Sequence, residues 1–117
     1  MEDSPRLSAN ARRAISQALD EGPIYIAGIT LLELARLMAA NRIESTASVD
    51  ALLASVESDF TVLPITAAIA AATTRLPATY PRDLADRIIG ATALVHGATL
   101  ITADQRIRRA KAAHTLW

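Results

Sequence analysis

Short apolar runs and longer amphipathic stretches alternate along this chain. Ser8 precedes Ala9–Glu21, where Ala11, Ala14, Ile15 and Leu19 recur at helical spacing, and Gly22-Pro23 closes the segment. Ile24-Tyr25-Ile26-Ala27 reads as a short strand. Thr30-Leu31-Leu32-Glu33 has the capping-box pattern and predicts a helix from Thr30 to about Asn41. Ser48 opens another helix carrying Leu52, Leu53 and Val56, and Phe60–Ile65 reads as a strand. Thr66 caps an Ala-rich helix that stops before Pro77. Asp83 caps a helix over Leu84–His96, closed by Gly97. Thr99–Thr102 is the next strand, Asp104 caps a helix ending near Ala113, and His114–Trp117 forms a last short strand.

This alternation predicts one α/β domain over residues 1–117, a short parallel sheet with helices on both faces. In such a sheet each helix begins near the carboxyl end of the preceding strand, and ligands bind at that edge. Glu33 and Asp104 therefore share an edge. The helix over Leu84–His96 leads into the next strand and runs antiparallel to it, so its start brings Asp83 and Asp86 to the same edge.

Composition narrows the chemistry. The chain has 117 residues, 51% of them hydrophobic, which suits one packed domain. With no cysteine, disulfides, thiolate catalysis and zinc–thiolate sites are excluded. His96 and His114 lack the spacing of a zinc pair. Ala27-Gly28-Ile29-Thr30 has one glycine and lacks the Lys of a phosphate loop, which argues against a nucleotide-binding fold. Twelve basic residues balance twelve acidic ones, so there is no long-range pull toward nucleic acid. Arg106, Arg108, Arg109 and Lys111 read as a solvated helix end. The acidic, polar start is unlike a signal peptide and no apolar run reaches the roughly 20 residues of a membrane span, so a cytoplasmic location is expected.

Each acid has a plain structural explanation. Glu33 fits the third position of a capping box, Asp83 and Asp104 are natural N-caps, and Asp86 lies in a first turn where the helix dipole favours negative charge. Taken together they say more. Glu33 lies among Leu31, Leu32, Leu34 and Leu37, and Asp86 precedes the apolar run Ile88-Ile89-Gly90-Ala91. Gly90 inside a helix costs about 1 kcal/mol relative to Ala, which implies close packing there. Several carboxylates gathered at one edge repel unless a cation binds between them. A Mg²⁺ or Mn²⁺ site and phosphodiester hydrolysis follow as the leading chemistry.

The stretches Ile24–Ala35, Asp83–Ala93 and Leu100–Asp104 resemble, in order, the acidic motifs of PIN-domain ribonucleases, specifically VapC-type toxins of toxin–antitoxin pairs. The resemblance implies a three-layer α/β/α fold and a Mg²⁺- or Mn²⁺-dependent endoribonuclease. It also implies a homodimer, inhibited by a small antitoxin, whose cut leaves a 5′-phosphate and a 3′-hydroxyl. Glu33, Asp86 and Asp104 match the family's metal-site and catalytic acids. Asp83 matches an accessory acid, although Leu84 stands where the family often has Pro. Residues 1–7 align with the loop after the family's first helix, so the first, central strand and its Asp have no counterpart in this sequence. Two expectations result: an RNA-cleaving toxin, or a catalytically impaired module of the same fold that binds an antitoxin or its own copy.

Overall fold

The computed structural model describes residues 8–40 and 48–117. Helix α1 spans Ala9–Glu21, and the Ser8 hydroxyl accepts from the Ala11 N–H, as its position before the helix predicts. Strand β1 (Tyr25–Ala27) leads through Gly28 into α2 (Ile29–Ala39). Helix α3 (Val49–Asp59) is capped by Ser48 and runs into β2 (Thr61–Leu63). Thr66 caps α4 (Ala67–Thr73), and Asp83 caps α5 (Leu84–His96), which ends on Gly97 in the left-handed conformation at φ 62°. Strand β3 (Leu100–Ile101), α6 (Gln105–Ala110) and β4 (Thr115–Leu116) complete the chain.

The strands form two parallel pairs. In one, Tyr25, Ile26 and Ala27 of β1 face Thr61, Val62 and Leu63 of β2; in the other, Leu100 and Ile101 of β3 face Thr115 and Leu116 of β4. No ladder joins the two pairs among the described residues.

The core is small and Ala-rich. Ile69 and Ala72 of α4 meet Ala91 of α5, and this α4–α5 contact is the most extensive between helices. A second cluster joins Leu76, Tyr80 and Ile107, with Leu100, Ala110 and Ala112 packed against it. That cluster ties the loop leading into α5, the helix that carries Asp86, to α6, the helix that Asp104 caps.

Several sequence expectations change here. The capping box at Thr30 does not form: α2 begins earlier, its N-cap is Gly28, and no side chain caps it. Gly28 continues the helical backbone, at φ −57° and ψ −34°, so the helix starts before Thr30 can act. The predicted end at Asn41 lies outside the described residues. Leu19 in the apolar stripe of α1 is 61% exposed, and Leu32 and Leu37 of α2 are also exposed. Helix α6 stops at Ala110, not near Ala113, because Lys111 takes a left-handed conformation at φ 55°. The strands are shorter than the apolar runs that encode them. Among the described residues, no helix is long and apolar enough to cross a membrane.

Candidate carboxylate centre

The four acids divide into two kinds. Asp83 and Asp104 are fully engaged as caps. The Asp83 Oδ2 accepts from the Asp86 N–H at 3.0 Å. The Asp104 Oδ1 accepts from the Arg106 N–H at 2.8 Å and from the Ile107 N–H at 3.4 Å. Its Oδ2 pairs with the Arg106 guanidinium at 3.1 Å. The Arg106 side chain and these backbone donors hold the Asp104 carboxyl below the usual carboxylate range.

Glu33 and Asp86 are different. Both are half-buried, and neither carboxylate accepts a hydrogen bond from any described residue. Because α2 starts at Ile29, Glu33 stands in the second turn, where no orphan N–H is left for it to satisfy. The capping explanation for Glu33 is therefore gone. Asp86 needs no cap of its own, since Asp83 already fills that place.

Both are held in the direction of neutrality. Burial is the main cause that raises the Glu33 pKa, followed by the negative charges of Asp86 and Asp83, with Arg36 opposing. Burial likewise leads at Asp86, followed by Asp83 and Asp104, with Arg106 opposing. Tyr80 is buried beside them, and its phenol is pushed up to about 12 by burial and by Asp86 and Asp104. The acids thus share one electrostatic neighbourhood at the ends of β1 and β3 and the start of α5. They do not close on a point: among the described residues, no three His, Cys, Asp or Glu come close enough together to hold a metal ion.

Beside Glu33 lies an open groove of about 500 Å³, lined by Thr30, Glu33, Leu34, Arg36, Leu37 and Ala40. Arg36 and Arg106 are exposed at the rim of the acidic patch. The other predicted basic residues stay apart from it: the Arg109 guanidinium donates to Gln105 of its own helix at 3.2 Å, consistent with a solvated face.

Three features escaped the sequence reading. The first is the clamp of Arg106 on Asp104, whose spacing of two residues gives no helical-face signal. The second is Arg87, which donates to the carbonyls of Pro81 at 3.3 Å and Thr73 at 2.9 Å and fixes the loop before α5. The third is Tyr80, whose hydroxyl donates to the Asp86 carbonyl at 2.8 Å. Gly90 did signal close packing, and Tyr80 is the residue that packs there.

The PIN-domain sequence profile matches residues 3–113. The chain belongs to the PIN-domain family. Ribonuclease VapC22 of Mycobacterium tuberculosis is 40% identical over 103 residues, 88% of this chain and 77% of that protein, which places the chain with the VapC-type members. Two solved structures share the fold at low identity. VapBC2 from Rickettsia felis, bound to a DNA fragment from its promoter, superposes with a TM-score of 0.69 at 16% identity, covering 91% of this chain and 83% of that one. VapBC-1 from nontypeable Haemophilus influenzae gives 0.70 at 19% identity, covering 90% of this chain and 81% of that one. The PIN-like α/β/α arrangement expected from the sequence is thereby established.

Proposed function

We propose that this chain is a divalent-metal-dependent endoribonuclease, the toxin of a toxin–antitoxin pair, which hydrolyses RNA phosphodiester bonds until a small antitoxin occupies it. The observation that carries this reading is the pair Glu33 and Asp86. Two half-buried carboxylates that accept no hydrogen bond from the described residues, beside further negative charge, are costly to keep in a resting fold. A hard cation relieves that cost, and an all-oxygen donor set suits Mg²⁺ or Mn²⁺.

The donor chemistry fits such an ion, with Glu33 and Asp86 as the residues that would hold it. Asp104 would join by exchanging Arg106 for the cation, and Asp83 would add negative charge from the cap position. When bound, the ion would lower the pKa of a water ligand and stabilise charge on the scissile phosphate. The chain's own residues supply the rest. Arg36 and Arg106 flank the acids with planar donors suited to phosphate oxygens, and Arg106 would be free for that role once released from Asp104. The groove beside Glu33 gives an RNA strand a place to lie. The reading includes a two-fold homodimer in the cytoplasm.

RNA cleavage by the purified chain, followed with Mg²⁺, with Mn²⁺ and with chelator, tests this. Metal-dependent cleavage that Asp86→Asn abolishes supports the proposal; cleavage untouched by chelator or by that substitution refutes it.

One observation favours the second reading, an impaired module that binds an antitoxin or its own copy: Asp104 is fully engaged by Arg106 and by the start of α6. That reading predicts an inert protein that binds neither metal nor RNA and still captures the antitoxin.

A further inference from the structure

The Tyr80 side chain does something the fold alone does not require. Its ring is 3% exposed and packs with Leu76 and with Ile107 of α6, the helix that Asp104 caps. Its hydroxyl reaches the opposite way, to the main-chain carbonyl of Asp86 at 2.8 Å. In a regular helix that carbonyl takes the N–H four residues on, which is Gly90. The hydroxyl therefore enters over the Gly90 backbone. A Cβ built on Gly90 would overlap the Tyr80 Oη, and would come within 2.6 Å of Cζ and 3.1 Å of Cε2. No side chain other than hydrogen leaves room for this approach, so the helix accepts the cost of a buried glycine.

We propose that Tyr80, admitted by Gly90, is a positioning residue that fixes the first turn of α5 and so sets where the Asp86 carboxylate stands relative to Asp104. One side chain bonds the helix of Asp86 through its hydroxyl and shares a buried cluster with Ile107 of the helix that Asp104 caps. A phenol is protonated at physiological pH, so the Tyr80 hydroxyl is a donor to that carbonyl. Arg87, in the same turn, is itself held by its bonds to the carbonyls of Pro81 and Thr73. The inference rests on the ribonuclease reading for its consequence and on geometry for its substance. The two can be tested apart.

Tyr80→Phe removes only the hydroxyl and keeps the packed ring. Two measurements on the intact chain decide the matter. Backbone NMR reports the Asp86 carbonyl directly: its ¹³C′ resonance shifts in Tyr80→Phe, with smaller changes at Arg87 and Gly90, while the Ile69–Ala91 core stays unchanged. RNA cleavage with Mn²⁺ gives the consequence: kcat falls roughly tenfold, because displacement of a reacting group by about 1 Å costs up to ~100-fold, while KM for RNA stays within twofold. Loss of the hydrogen bond alone moves the Asp86 carbonyl; displacement of the carboxylate also moves the Asp86 side-chain ¹³Cγ resonance, which a purely structural role would leave in place. Gly90→Ala, which expels the hydroxyl without deleting it, reproduces the kcat loss if it folds. An unshifted Asp86 carbonyl overturns the proposal whatever the activity. If wild-type protein cleaves no RNA, the ribonuclease reading fails, and the Asp86 ¹³Cγ resonance still decides the positioning claim: a shift in Tyr80→Phe supports it and an unchanged one overturns it.

Discussion

Asp104 has two jobs, and two substitutions separate them. As an N-cap, its Oδ1 satisfies two backbone donors at the start of α6, at 2.8 and 3.4 Å, and its Oδ2 pairs with an exposed Arg106 at 3.1 Å. Losing a carboxylate cap to Ala costs about 1 kcal/mol, within a range of roughly 0.5–2. The ion pair with the exposed Arg106 adds little to this, because solvent screens it. Asp104→Ala therefore costs about 1 kcal/mol, a fall in melting temperature of roughly 4–8 °C for a domain of this size. Asn caps about as well as Asp, so Asp104→Asn loses only the ion pair and melts within roughly 4 °C of wild type. Both variants lose the charge that the proposed chemistry needs, and both should be inactive on RNA. Thermal unfolding of the three proteins in metal-free buffer at pH 7, beside RNA cleavage, gives the comparison. If Asn destabilises as much as Ala, capping is not what Asp104 contributes and the reasoning fails. The pH dependence has a definite sign. The folded pKa of Asp104 is lowered, so its stabilisation is complete above the unfolded carboxylate value of about 3.9 and is lost as pH falls through the folded one.

Glu33 and Asp86 carry the opposite sign. Their folded pKa values are raised, so each charge opposes folding at neutral pH, and Glu33→Gln and Asp86→Asn should raise the melting temperature of the metal-free protein at pH 7. That gain should vanish as pH falls below the unfolded carboxylate range, where the native acids are protonated too; lower stability of both variants at pH 7 would contradict it. Gly90→Ala gains about 1 kcal/mol of helix propensity and loses about 1–3 kcal/mol to overpacking against Tyr80, so unfolding should find it destabilised. Arg87→Ala removes donors to Pro81 and Thr73 in a partly buried loop and should cost about 1.5–3 kcal/mol, measurable by urea titration. Arg106→Ala frees Asp104 at little cost in stability, since the pair is solvent-exposed, and it should tighten Mn²⁺ binding measured by calorimetry.

Much of this fold is legible in the sequence because caps and apolar runs mark its elements locally. Ser8, Ser48, Thr66, Asp83 and Asp104 each cap the helix they precede. The exception is instructive. Thr30 and Glu33 match a capping box, yet the backbone turns helical at Gly28, and tertiary context overrides the local signal. The same shift removes the structural explanation for Glu33 and strengthens the chemical one. Strand direction predicts one shared edge for the acids, and they do share one electrostatic neighbourhood, but among the described residues no three of them close on a point. What the side chains do there is not legible: Arg106 clamps Asp104 at a helix start and Tyr80 reaches Asp86 from a loop, where no regular periodicity applies.

The central claim is that Glu33 and Asp86 form a cation-binding pair in a ribonuclease. Calorimetric titration of Mn²⁺ into wild type, Glu33→Gln and Asp86→Asn tests it most directly. The account predicts saturable binding by wild type that is weakened at least tenfold in either variant. No binding by wild type, or equal affinity in all three, would contradict it.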